Sequence, residues 1–71
     1  MSTIIRSIPL KTAATFTDVY GHDATIRYLS MGGFQLEVFT DGKTSFRRNY
    51  KTWRGARKAL NRFSNAWHEI K

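Results

Sequence analysis

Seventy-one residues leave too little interior for two cores, so the chain reads as one domain, and 41% hydrophobic with 14% aromatic residues is the material of a folded chain rather than a disordered one. The absence of cysteine excludes disulfides and thiolate metal sites. No apolar run approaches the roughly 20 residues that span a bilayer, and the N-terminus has no long apolar stretch of the signal-peptide kind; the expectation is a cytoplasmic protein with no membrane partner.

The net charge of +7 is unevenly placed. Residues 1–42 hold three basic residues, Arg6, Lys11 and Arg27, against the four acids Asp18, Asp23, Glu37 and Asp41, a net of −1. From position 43 onward nine basic residues face Glu69 alone, a net of +8. A single-sign field of this density attracts polyanions and speeds their encounter.

In chain order, the first 20 residues admit two readings. Thr3 to Ile8 and Thr15 to Tyr20 read as short strands, the first stopped or confined to an edge by Pro9 and the second turning at Gly21-His22-Asp23. A short helix around Leu10 to Val19 is the alternative. Next come Ala24 to Ser30, Phe34 to Thr40 and Thr44 to Tyr50, rich in strand formers and separated by Met31-Gly32-Gly33 and Asp41-Gly42-Lys43. They predict a three-stranded antiparallel meander over 24–50, four-stranded if the N-terminal segment joins it. Three-residue loops put the apolar residues on one face: Tyr28 opposite Leu36, Ile26 opposite Val38, Val38 opposite Phe46 and Phe34 opposite Tyr50. That register sets Arg27, Glu37 and Arg47 in one rung on the other face and Thr25, Phe39 and Ser45 in the next, with Phe39 exposed beside the arginines. Alternation sends Arg48 to the apolar side, where it must reach an edge.

The last element is a helix near 52–69, because Trp53, Ala56, Leu60, Phe63, Trp67 and Ile70 recur at three-and-four spacing. Thr52, or Asn49 a turn earlier, caps its start. Its apolar stripe should cover the sheet and bury Trp53, Leu60, Phe63 and Trp67, while Arg54, Arg57, Lys58, Asn61, Arg62 and Asn65 face outward. The expected fold is α+β, an antiparallel sheet packed against one C-terminal amphipathic helix.

Chemistry-bearing constellations are sparse. His22 and His68 are the two histidines; neither a cysteine nor a carboxylate cluster completes a site with them and they lack ligand spacing, so neither a catalytic residue nor a metal or cofactor is assigned. Gly32-Gly33 reads as a turn, not a phosphate loop. Aromatics interleaved with cations suggest base stacking, but the helical spacing of Trp53, Phe63 and Trp67 assigns them to the core.

Gly33 to Leu60, with Tyr50-Lys51-Thr52 before Trp53-Arg54-Gly55-Ala56, resembles the arm-binding domains of tyrosine-type integrases and the related plant ethylene-response-factor domain. The resemblance covers under half the chain. It implies a three-stranded sheet inserted in the DNA major groove with the helix behind it, Arg27 and Arg47 facing the groove, and DNA favoured over RNA. The sequence departs from the pattern at Gly55, where the family often has an acidic residue, and the strand tryptophans of the plant branch are missing. Double-stranded-RNA-binding domains share three strands and a basic helix start, but their lysine-rich motif is not matched at Lys51 to Lys58.

The functional expectation is a non-enzymatic nucleic-acid-binding module, in size and style like small phage or mobile-element accessory proteins. Its candidate contact residues are Arg27, Lys43, Arg47, Arg48, Lys51, Arg54, Arg57, Lys58 and Arg62. The alternative is an inhibitor or adaptor docking on an acidic protein surface with Phe39 as an anchor. A small ribonuclease toxin using His22 or His68 has the least support.

Overall fold

A computed structural model describes residues 8–64 and 66–70. The elements are β1 (Pro9–Thr17), β2 (His22–Leu29), β3 (Phe34–Thr40), β4 (Lys43–Tyr50), α1 (Trp53–Leu60) and β5 (His68–Ile70). The strands form one antiparallel sheet in the order β4-β3-β2-β1-β5. The fold is therefore α+β as expected, with five strands rather than three or four.

The two extra strands lie at the ends of the chain, where the pattern was weakest. The Leu10–Val19 helix does not form, and the Thr15–Tyr20 strand is displaced toward the N-terminus: β1 runs from Pro9 to Thr17 and shares residues 15–17 with it. Proline is tolerated as the first residue of a strand, and Ala14 and Phe16 then alternate inward. The small alanines conceal that alternation in the sequence. Of the Thr3–Ile8 strand, residues 3–7 lie outside the described residues; Ile8 exchanges hydrogen bonds with Ser30, its amide donating to Oγ at 3.0 Å and its carbonyl accepting from the Ser30 amide at 2.9 Å.

The β3–β4 register agrees with expectation at Val38↔Phe46 and Phe34↔Tyr50, by a different route. Asp41 and Gly42, with φ of 53° and 79°, make a two-residue turn of the kind that matches strand twist. The extra residue is absorbed at a bulge between Val38 and Phe39, where the Ser45 hydroxyl donates to the Val38 carbonyl at 3.1 Å. Between β2 and β3 the register is displaced by two residues, pairing Ile26 with Leu36 and Tyr28 with Phe34. Gly33 is drawn into the ladder, its carbonyl accepting from the Leu29 amide at 3.1 Å, so the turn is made by Ser30, Met31 and Gly32. A two-residue shift preserves the faces, which is why the core is still assigned correctly. The expected rungs do change: Glu37 lies opposite Thr25 and Arg47, Arg27 opposite Gln35, and Phe39 between Asp23 and Thr44. Phe39 is half-buried.

The helix is the main correction. It covers Trp53–Leu60, not 52–69. Thr52 is its N-cap, with Oγ1 accepting from the Gly55 amide at 3.0 Å. After Leu60 the chain tightens into i→i−3 bonds, Arg62 to the Ala59 carbonyl and Phe63 to the Leu60 carbonyl, both at 3.1 Å. The Trp67 indole N–H then donates to the Leu60 carbonyl at 2.9 Å, while asparagine and serine at 61 and 64 favour turns over helix. The chain crosses to the far edge, where β5 pairs with β1 through Thr15↔Ile70 and Thr17↔His68. Asn65 lies outside the described residues.

The core joins Ala14, Phe16, Ala24, Ile26, Leu36 and Val38 of the sheet to Ala56, Ala59 and Leu60 of the helix. Of the four large residues expected to be buried, Leu60 is fully so and Trp67 is half-buried, but Trp53 and Phe63 are 39% and 40% exposed. The eight-residue helix packs chiefly on β3 and β4, and the aromatics flanking it pack sideways: Trp53 edge-on to Phe34 with centroids 5.7 Å apart, and Phe63 on Phe46 at 4.8 Å.

Candidate nucleic-acid interface

The two surfaces that carry the candidate residues differ in charge balance. On the sheet face away from the helix, Glu37 is buried between Arg47, its cross-strand neighbour, and Arg27, whose Nη1 lies 3.7 Å from Glu37 Oε1. The Thr44 hydroxyl donates to Oε2 at 2.7 Å. Glu37 and Asp23 on this face match Arg27 and Arg47 in number, and Gln35–Asn49 add only a neutral amide pair at 3.2 Å.

The helix side is different. Arg48 points to the apolar side of β4, and because β4 is an edge strand it reaches solvent beside the helix. There it shares a groove of about 270 Å³ with Lys58 and Arg62, floored by Tyr50, Gly55 and Ala59. Gly55 lies on this floor, where a Cβ would crowd the Thr52 cap hydroxyl at 3.2 Å but make only ordinary contact with the Tyr50 side chain at 3.8 Å. Among the described residues, which include every Asp and Glu, Arg48, Lys58 and Arg62 form no ion pair.

Over the crest of the helix a second groove, about 400 Å³, is lined by Trp53, Arg54, Arg57, Lys58 and Asn61. Arg54 and Lys58 are exposed. Arg57, expected to face outward, is half-buried, its guanidinium 4.7 Å from the centroid of the buried Phe16 ring and its Nη1 donating to Asn61 Oδ1 at 2.9 Å. Lys43 and Lys51 are exposed at the two ends of β4; Lys51 also borders a groove of about 410 Å³ with Leu29, Met31 and Asn49. The structure therefore brings Arg48, Arg54, Arg57, Lys58 and Arg62 to one side, places Arg27 and Arg47 on the opposite face, and leaves Lys43 and Lys51 at the ends of the edge strand.

A polar cluster that the sequence did not single out sits at the β1–β2 turn. Asp18 Oδ1 accepts from the Tyr20 and His22 amides at 2.9 and 2.8 Å, and Oδ2 lies 2.9 Å from His22 Nδ1. Burial alone would raise the Asp18 carboxyl. The His22 amide and ring, the Tyr20 amide and the Ser64 hydroxyl outweigh it and hold the pKa at about 2, below the ordinary 3.8. The Asp-x-x-Gly-His spacing was the available signal, since aspartate bonding to an amide two residues on makes a turn. The cluster orients His22 and ties the crossover segment to the turn. His22 and Trp67 ring centroids are 6.5 Å apart. Among the described residues no three His, Cys, Asp or Glu side chains are grouped to hold a metal, and no helix is long and apolar enough to cross a membrane. Compared with known protein families, characterised proteins and solved structures, the chain matches none.

Proposed function

We propose that the chain is a non-enzymatic nucleic-acid-binding module that takes phosphates on the side formed by α1 and the β4 edge. The observation that supports this most is the groove in which Arg48, Lys58 and Arg62 converge without a carboxylate. Cations held near one another and left unneutralised suit a polyanion, because each phosphate contact releases condensed counterions. The integrase-like arrangement would instead use Arg27 and Arg47 of the opposite face. Glu37 offsets that pair, so we assign it a secondary role, tuning sequence preference rather than supplying affinity.

The test is titration of fluorescently labelled DNA and RNA, duplex and single-stranded, at several salt concentrations. The proposal expects binding that weakens steeply with salt. Absence of binding to all four at low salt, where electrostatics are strongest, would refute it. The adaptor reading would then take its place, resting on the basic side and on the exposed Val19 and Tyr20 at the β1–β2 turn.

A further inference from the structure

We infer that the groove beside Trp53 is a stacking site for an unpaired nucleobase, so that the module prefers single strands to duplex; this rests on the nucleic-acid reading above. Trp53 opens the helix directly after the Thr52 cap, and 39% of it remains in solvent. Its orientation is fixed from behind by the edge-on contact with Phe34, which in turn packs on Tyr28 with centroids 5.5 Å apart. An exposed aromatic backed by a packed ring is a preorganised platform that loses little freedom on binding. The groove in front of it is walled by Arg54, Lys58 and Arg57. Arg57 is itself immobilised over Phe16 and by Asn61. A ring with cations on its rim matches a base with its two flanking phosphates. A base inside a duplex is already stacked on its neighbours, whereas an unpaired one is free to stack on a side chain.

The site lies on one side of the helix and the Arg48 groove on the other, with Lys58 lining both. A strand crossing the helix at Lys58 would thus place one base on Trp53 and its next phosphates at Arg48 and Arg62. Stacking is indifferent to the sugar, so the class assigned is an unpaired nucleic-acid strand, with DNA and RNA distinguished by experiment.

The test uses the full chain and three probes: oligo-dT, oligo-rU and a mixed-sequence DNA duplex. The expected result is tighter binding of the single strands than of the duplex, and a loss of about 5- to 150-fold in single-strand affinity for Trp53→Leu, the range one base–aromatic stack spans, with duplex affinity unchanged. Preference for dT or rU identifies the natural strand, and equal affinity assigns the site to unpaired strands of either sugar. Should Trp53→Leu fold poorly, Trp67→Phe leaves Trp53 as the one tryptophan, and its emission should be quenched by the single strands and not by the duplex. Equal losses on single strand and duplex, or no quenching on single-strand binding, would overturn the stacking site while leaving the phosphate-binding reading intact. If the wild-type chain binds none of the three probes, both fall together.

Discussion

Gly32 and Gly33 have nearly the same backbone angle, φ +91° and +89°, but different surroundings. A Cβ on Gly32 meets nothing within 4 Å, whereas one on Gly33 would lie 2.5 Å from the Tyr50 carbonyl oxygen and 3.5 Å from the Lys51 Cα. Gly32→Ala therefore isolates the strain of positive φ, about 1–2 kcal/mol, reduced by about 0.4–1 kcal/mol because alanine restricts the unfolded chain. Gly33→Ala adds a collision with backbone that cannot rotate away, of the overpacking kind that costs about 1–3 kcal/mol. The expected losses are about 1 kcal/mol for Gly32→Ala and about 3 kcal/mol for Gly33→Ala. Urea unfolding followed by tryptophan fluorescence measures both, and for a domain of this size each kcal/mol corresponds to about 4–8 °C in Tm. Equal losses would refute the claim that the β2–β3 turn closes directly on the end of β4.

Leu60→Ala, at a fully buried position, should cost about 2–5 kcal/mol, whereas Phe63→Ala should cost clearly less because 40% of that residue stays in water; reversed costs in the same unfolding assay would contradict the short helix. Because the Asp18 pKa is lowered to about 2 on folding, the folded state binds this proton less readily than the unfolded chain. Its contribution is fully present above about pH 4 and is lost as pH falls toward 2. Stability measured across that window should decline on acidification in the wild type and decline less in Asp18→Asn.

What the sequence revealed follows from which signals are local. The central strands were legible because Ile26, Leu36, Val38 and Phe46 alternate with polar residues between glycine-bearing turns, and a register error of two residues leaves faces unchanged. β1 was obscured by Thr12 to Thr15, which are too small and too similar to display alternation. The helix was overextended because Phe63 and Trp67 continue a three-and-four spacing by coincidence. What ends it is tertiary: the Trp67 indole holds the Leu60 carbonyl and the β1 edge captures residues 68–70. Arg48 was recognised as the residue that must reach an edge, and it does. The groove it forms with Lys58 and Arg62 was not visible, since it depends on where the helix lies against the β4 edge, which no local pattern records. The charge balance of the opposite face was partly visible, with Glu37 expected between Arg27 and Arg47; the shifted register makes one of those neighbours diagonal.

The assignment of phosphate binding to the α1–β4 side is tested most directly by the salt dependence of nucleic-acid affinity in two charge-neutralised proteins, Arg48→Gln/Lys58→Gln/Arg62→Gln and Arg27→Gln/Arg47→Gln. On a log–log plot each lost duplex phosphate contact reduces the slope by about 0.9, or about 0.7 for a single strand. The triple substitution should therefore flatten the slope by about 2 to 3 and weaken binding to all sequences alike, while the double substitution leaves the slope within about 1 of the wild type. A triple variant with the wild-type slope, or a double variant that loses the larger share, would place the phosphates on the opposite face of the sheet and contradict the account.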